Sequence, residues 1–392
     1  GMRHKKRKVL MKNKKLEKIV LIGPVYPYKG GISHYTGLMY RSLAKKYKTI
    51  MVSYKLQYPK FMFKKEQKDY ENDSFKIENT RYSINTANPF NWVKVALEIR
   101  KIKPDLVIFQ WWHPYFTPCY FMLEILMKNI KKMFICHNVF PHERFPLDRF
   151  LTKLVLRQGN CFVTQSKLDT ENLLGIEKNA QYIEAVHPTY NVFKFENMSK
   201  KRAREILDIS QEESVLLFFG FVREYKGLKY LLKAMKLLKQ SEKQFRLLVV
   251  GDFGDDRQDY MDLIKQCNIQ DMIEIYDGYI PDREVEKYFA ASDLVVLPYE
   301  SATQSGIVQI AYGFEIPVVV TNVGGLPDVV QNNYTGYVVP PKSPEALAEK
   351  IEEFFSERKG NEFIKNIKQE AYKFSWEKMN ENIEQLYNQI ND

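Results

Sequence analysis

Val215-Leu216-Leu217-Phe218-Phe219-Gly220-Phe221-Val222-Arg223-Glu224-Tyr225-Lys226-Gly227 is the stretch on which the fold turns. The apolar run Val215 to Phe219 has the length and composition of a buried strand, and Gly220 ends it. Leu228, Leu231, Leu232, Met235 and Leu238 then recur at helical spacing, so a helix is expected to start at about Lys226. A helix start offers free N–H groups and a positive dipole end. With Arg223 and Lys226 beside it, such a turn would hold a phosphate or diphosphate above the carboxyl ends of the strands. An ordinary strand, turn and helix with two solvated cations would read the same.

A second loop separates the two readings. Leu294-Val295-Val296-Leu297-Pro298 reads as a strand, residues 299–306 as a polar loop, and Ile307 to Phe314 as a buried helix. Ser305 and Gly306 fall where that helix begins, so backbone N–H groups can again approach an anion. Pro317 to Thr321 is a further strand, followed by a turn at Gly324-Gly325-Leu326-Pro327. Two helix starts of this kind suit a diphosphate.

These segments resemble a known family. Together with Gly251-Asp252 after a strand, Tyr279-Ile280-Pro281 before a helix and Ala291-Ser292-Asp293 before Leu294, they look like the C-terminal half of the family 4 retaining glycosyltransferases, within glycosyl transferases group 1. Gly30-Gly31 and His137-Asn138 match the N-terminal half more loosely. The resemblance runs from about Lys18 to the C terminus and is most specific over residues 215–330.

The resemblance implies the GT-B architecture: α/β, two doubly wound parallel-sheet, Rossmann-like domains facing across a cleft. It implies transfer of a sugar from a nucleotide diphosphate sugar to a saccharide or lipid-linked acceptor, as in surface polysaccharide assembly. Arg223, Lys226 and His137 take the catalytic places, and Gly30, Gly31, Gly220, Ile280, Glu300, Gln304, Ser305, Gly306 and Gln309 the donor-binding ones. His113, Trp111 and Asn138 are the acceptor-side expectations, while Trp111 and Trp112 read equally as core or as a stacking platform for a sugar ring. Two features depart from the family. Its paired glutamates in the second loop align with Ala302 and Ile310, which leaves Glu300 or Gln309 for the donor ribose, and Phe221 stands where an Arg commonly follows the glycine.

The remaining sequence fits a large enzyme. Apolar runs at Ile19–Ile22, Ile50–Val52, Leu106–Phe109, Met133–Cys136 and Cys161–Val163 alternate with helical stretches. The pattern restarts after Val215 with runs at Leu247–Val250, Ile273–Tyr276, Leu294–Leu297 and Val318–Thr321. Such alternation implies parallel sheets with right-handed crossovers. The expected division is a basic arm without fixed structure at 1–17, an acceptor-side domain at 18–190, a nucleotide-sugar domain at 200–373, and a final helical segment, 374–392, that the resemblance returns to the first domain. Trp376, Met379, Ile383, Leu386, Tyr387 and Ile390 form its apolar stripe.

Charge and cysteines bound the partners. The net charge is +11, but nine Lys and Arg residues against Glu17 within residues 1–18 account for +8, which leaves the body near neutral. That arm suits an anionic membrane surface or nonspecific contact with nucleic acid, and no specific nucleic-acid partner is expected. Cys119, Cys136, Cys161 and Cys267 show no paired spacing and read as reduced core thiols, as in a cytoplasmic protein. The longest apolar stretch, Phe116 to Met127, contains Glu124 and falls short of the roughly 20 residues a bilayer requires.

No Asp-x-Asp triplet occurs, so the cations Arg223 and Lys226 are expected to replace a divalent metal, with no cofactor. His137 and His142 do not form a metal pair, because Pro141 breaks any helix that would align them. A nucleotide-sugar epimerase of the same fold and a noncatalytic sugar-nucleotide or polysaccharide-binding protein remain alternatives.

Overall fold

The computed structural model describes residues 14–71, 76–188, 193–194, 196–302 and 305–391. The chain divides into two compact units. Unit 1 holds residues 1–164, 169–185 and 379–392; unit 2 holds 165–168 and 186–378.

Unit 1 is built on seven strands: β1 (Lys18–Ile22), β2 (Lys48–Leu56), β3 (Arg81–Asn85), β4 (Leu106–Trp111), β5 (Lys131–Cys136), β6 (Cys161–Thr164) and β7 (Tyr182–Glu184). They pair in parallel in the order β3-β2-β1-β4-β5-β6-β7. Unit 2 is built on β8 (Ser214–Phe219), β9 (Phe245–Gly251), β10 (Ile273–Asp277), β11 (Leu294–Leu297), β12 (Val318–Thr321) and β13 (Gly336–Val339), parallel in the order β10-β9-β8-β11-β12-β13. Each sheet therefore reverses its winding once, between β1 and β4 in unit 1 and between β8 and β11 in unit 2. In open α/β sheets that reversal leaves a crevice at the carboxyl ends of the strands, where ligands bind.

The central strands are continuous apolar runs because helices cover both sheet faces; every residue of β4 and β11 is buried. A fully buried Leu, Ile, Val or Phe side chain contributes about 1.5–3 kcal/mol, so these strands anchor their units. A carboxylate fixes the reversal in each sheet. Asp105, just before β4, accepts from the N–H of Glu17 (3.0 Å) and of Lys18 (2.9 Å) at the start of β1. Asp293, just before β11, accepts from Val215 N–H in β8 (2.9 Å) and is paired with the buried Arg204 guanidinium (2.8 Å). Arg204 also donates to the carbonyls of Ala291 (3.0 Å), Gln211 (2.9 Å) and Glu213 (3.0 Å), so its charge is compensated inside the protein.

Some expectations shift. Residues 14–17 are part of the fold and not of a free arm, since Leu16 is buried and Lys14 pairs with Asp105 at 3.1 Å; residues 1–13 lie outside the described residues. The edge strands β3, β7 and β13 have no counterpart in the sequence reading. The final helix, Trp376–Asn391, buries Met379, Ile383, Leu386 and Tyr387. Within unit 1, Asn380 Nδ2 donates to Ser42 Oγ (2.7 Å), and Glu384 accepts from Lys46 and Tyr47 (2.5 Å each). All four cysteines are free and buried. Among the described residues no helix is long and apolar enough to cross a membrane.

Candidate active site

In unit 2 the chain leaves β8 at Gly220 and enters a single 3-10 turn, Glu224–Lys226. Gly227 follows in the left-handed region (φ +70°), and only then does the helix Leu228–Leu238 begin. The helix thus starts two residues later than its spacing suggests. A Cβ at Gly227 would stand 1.9 Å from the Pro298 carbonyl oxygen, so a side chain there would force this loop away from β11. The close approach is also held by Glu300 N–H, which donates to Tyr225 O at 2.7 Å. Gly251 ends β9 at φ +148°, and a Cβ on it would lie 1.8 Å from Gly220 O. Three strand ends therefore meet backbone to backbone.

Two cations stand over that floor. Lys226 folds back so that its Nζ would lie 3.2 Å from a Cβ on Gly220, and Arg223 Nη1 3.2 Å from one on Gly254. The Phe221 ring lies within reach of both, 5.4 Å from the Arg223 guanidinium carbon and 5.8 Å from Lys226 Nζ. Such contacts contribute about 0.5–1 kcal/mol at exposed sites and help gather like charges that repel. Arg223 is exposed, whereas Lys226 is only 9% exposed. Burial first, and the neighbouring Arg223 second, push the Lys226 pKa down to about 8. Among the described residues Lys226 forms no ion pair, so its charge is desolvated without a carboxylate to compensate it.

The second loop is placed less freely than its sequence suggests. Ser305 caps the helix Gly306–Gly313, its Oγ accepting from Ile307 N–H at 3.3 Å. Glu300 accepts from Tyr230 OH at 2.7 Å and lies 3.6 Å from Lys229 Nζ. The Tyr230 hydrogen bond, with Lys229 adding to it, holds the Glu300 carboxyl below its ordinary range. Gln309 is buried, and among the described residues its Oε1 has no hydrogen-bond partner. Ile280 is half-buried beyond Gly278, whose N–H donates to Gly251 O (3.2 Å). Gln304 lies outside the described residues.

In unit 1, Gly30 and Gly31 open the helix Gly31–Ala44 with nothing within 4 Å of where a side chain would begin, so this loop borders open space. His137 follows β5 and is 8% exposed. Its Nε2 lies 2.6 Å from Gln110 Oε1, and the Tyr35 ring meets it edge-on at 4.6 Å. Gln110 turns its amide nitrogen to Met39 Sδ (3.5 Å), which leaves the oxygen for the histidine. A carboxamide oxygen only accepts, so His137 donates to it through Nε2–H. Gln110 had no place in the sequence reading; the signal was one polar residue inside the apolar run Leu106–Trp111.

Two acceptor-side expectations change. Trp111 is fully buried, its Nε1 donating to Val139 O at 3.2 Å, so it is a core residue and no sugar platform. The half-buried Trp112 follows it, donating to Tyr58 OH at 3.2 Å. His113 Nδ1 accepts from Tyr115 N–H (3.0 Å) as the cap of the turn Pro114–Phe116, which leaves only its Nε2 for a ligand; burial lowers its pKa. Asn138 is half-buried beside His137.

With this geometry in view, the comparisons with known proteins are specific. Residues 199–374, most of unit 2, match glycosyl transferases group 1. Over these residues the chain is similar to that family. An uncharacterized glycosyltransferase of Methanocaldococcus jannaschii is 28% identical over 234 residues, 57% of this chain and 59% of the relative. The capsular polysaccharide biosynthesis glycosyltransferase CapM of Staphylococcus aureus is 25% identical over 201 residues, 50% of this chain and 51% of the relative. The chain thus spans between half and three-fifths of these relatives. A solved structure of Anabaena HepE in complex with UDP superposes with a TM-score of 0.69 at 18% identity, covering 93% of this chain and 98% of that one. The likeness shows that both units together have the GT-B fold.

Proposed function

We propose that this protein is a retaining glycosyltransferase that moves a hexose unit from a nucleotide diphosphate sugar to a saccharide or lipid-linked acceptor, as in surface polysaccharide assembly, and works without a metal ion. The observation that carries this reading is the pair Arg223 and Lys226, gathered on Phe221 over a backbone floor made by Gly220, Gly227 and Gly251 at the winding reversal of unit 2. A buried cation without a carboxylate partner suits a diphosphate, whose negative charge would supply the missing compensation.

During transfer the bond from the anomeric carbon to the diphosphate oxygen breaks, and charge grows on that oxygen. The acceptor hydroxyl attacks from the face the diphosphate leaves, and its proton passes to the departing oxygen, so no protein base is required. Lys226 and Arg223 meet the growing charge as prearranged donors, an effect worth about 10²–10³ in rate for a single donor. Glu300 is assigned to the donor ribose and Ile280 to the base. His137, held by Gln110, is assigned a contact with a sugar hydroxyl. The names of the curated relatives support transfer, and the UDP held by Anabaena HepE makes uridine diphosphate the first probe.

The test is release of free nucleoside diphosphate, measured with and without acceptor sugars and with excess chelator. Release only when acceptor is present, unaffected by chelator, is expected. Release without acceptor would favour an epimerase or hydrolase. Chelator-sensitive release restored by magnesium would overturn the roles given to Arg223 and Lys226.

A further inference from the structure

At the edge of unit 1 where β1, β4 and β5 begin, four cations line a cavity of about 460 Å³. The helix Pro89–Ile102 brings Arg100 and Lys103 to it, the turn after the helix Thr117–Leu126 brings Lys128, and Lys14 comes from just before β1. Lys14 has an acid, Asp105 at 3.1 Å, and that carboxylate also accepts from the N–H groups of Glu17 and Lys18. Among the described residues Arg100, Lys103 and Lys128 form no ion pair. Residues 1–13 contain no Asp or Glu, so the segment leading into Lys14 supplies no counter-charge. The strands here are parallel and five or six residues long, which separates this edge from their carboxyl ends by about 17–20 Å.

Cations near the end of a helix ordinarily answer its free carbonyls and the negative end of its dipole. Here other lysines do so. Lys18 Nζ donates to Ile102 O, the last residue of the first helix, at 2.9 Å, and Lys132 Nζ donates to Ile130 O, in the turn after the second, at 2.7 Å. Arg100, Lys103 and Lys128 are therefore surplus to that capping, three like charges around one cavity. The rest of the wall is of a different kind: Ile125 (47% exposed), Leu126 and Ile130 are apolar. The volume lies in the range of small-molecule sites and exceeds what a bare phosphate ion would fill. Cations beside an apolar wall suit a phosphate group that carries a ring, with the charge held by Arg and Lys and the ring laid on the isoleucines.

We infer that this cavity is a second anion site of the protein, for a soluble organic phosphate such as a sugar phosphate: Arg100, Lys103 and Lys128 contact the phosphate, and Ile125, Leu126 and Ile130 pack against the ring. Its occupant is an effector and not a substrate, because the residues of unit 1 assigned to transfer, Gly30, Gly31 and His137, follow the carboxyl ends of β1 and β5. The site goes beyond the transfer reaction and does not rest on it.

Calorimetric titration of the full chain tests it, with glucose 6-phosphate as the probe, inorganic phosphate and glucose as controls, and phosphatidylglycerol vesicles as a separate arm. Glucose 6-phosphate is expected to bind, inorganic phosphate to bind more weakly, and glucose not to bind. Arg100→Glu with Lys128→Glu should weaken the probe about tenfold or more for each cation lost, whereas Lys226→Met should leave it unchanged. Charge reversal can disturb the two helix ends, so Arg100→Gln with Lys128→Gln, checked by its melting temperature without ligand, makes the same test with neutral side chains. The inference is overturned if glucose 6-phosphate fails to bind at millimolar concentration, or if both cavity variants bind it like wild type. It is overturned equally if Lys226→Met abolishes binding, which would put the probe on the loop after β8, or if the cavity variants lose only vesicle binding, which would make the cations a lipid contact.

Discussion

Replacing Lys226 by Met should make the free protein more stable and its nucleotide binding weaker. Burial and Arg223 push the lysine from its ordinary 10.5 down to about 8, which corresponds to about 3 kcal/mol of penalty on the charged form. Below about pH 8 both folded and unfolded chains carry the proton, so the penalty is fully present. Between about pH 8 and 10.5 the folded protein releases the proton first, and stability rises with pH. Met keeps the aliphatic packing and loses the contacts with Phe221 and Tyr225, about 0.5–1 kcal/mol, which leaves a net gain of about 2 kcal/mol at pH 7. For a unit of this size that is about 4–8 °C in melting temperature, and the gain should shrink as pH rises towards 10. Binding should change the other way. Loss of one charge-assisted contact to the diphosphate, about 1.5–3 kcal/mol, raises the Kd for uridine, guanosine or adenosine diphosphate about ten- to a hundredfold at pH 7. Wild-type affinity itself should fall above pH 8, by about tenfold per unit until it meets that of the variant. Calorimetric titrations and thermal melts from pH 6.5 to 9.5, taken as the test range, check both halves. An unchanged Kd in Lys226→Met, or a lower melting temperature at pH 7, would refute the claim that an uncompensated buried cation awaits an anion here.

Two further outcomes follow from the packing. Gly251→Ala places a Cβ 1.8 Å from Gly220 O at φ +148°, and should cost about 3 kcal/mol or more in stability and reduce nucleotide binding as the loops separate; a wild-type melt would show that this approach relaxes. Gln110→Leu removes the acceptor of His137 Nε2–H, a loss of about 1–3 kcal/mol for a buried hydrogen bond. It should lower kcat/KM for the acceptor while leaving the Kd for nucleotide diphosphate unchanged, and an equal loss in both would assign Gln110 a general structural role.

The two sheets were legible because their central strands are apolar on both faces and glycines or prolines punctuate them. The edge strands were not. Arg81–Asn85 buries only Ile84 fully, and Tyr182–Glu184 buries nothing fully, so neither carries an apolar run. The misplacement of Trp111 has a geometric cause. Ending the fourth strand at Phe109 hides the alternation by which Trp111 shares the core face with Phe109, while Gln110 turns to the opposite one, towards Met39 and His137. In the first loop, residue types pointed to the two cations that lie by Phe221, but helical spacing could not anticipate that Gly227 would take a left-handed conformation and separate Lys226 from the helix. The Ser305 cap was written in the sequence as a helix start; its hydroxyl is engaged by the backbone that the same start exposes.

The final helix carries a consequence for how the chain is made. Residues up to Ala185 are synthesised before most of unit 2, yet the surface of unit 1 around Ser42, Lys46 and Tyr47 is completed by residues 379–392, which are made after it. Domains generally fold as units during synthesis. Unit 2 can close as soon as its own strands have emerged, whereas unit 1, although older on the ribosome, keeps an apolar face uncovered until Met379, Ile383, Leu386 and Tyr387 arrive. Of the two units, the one translated first is thus the last to be completed.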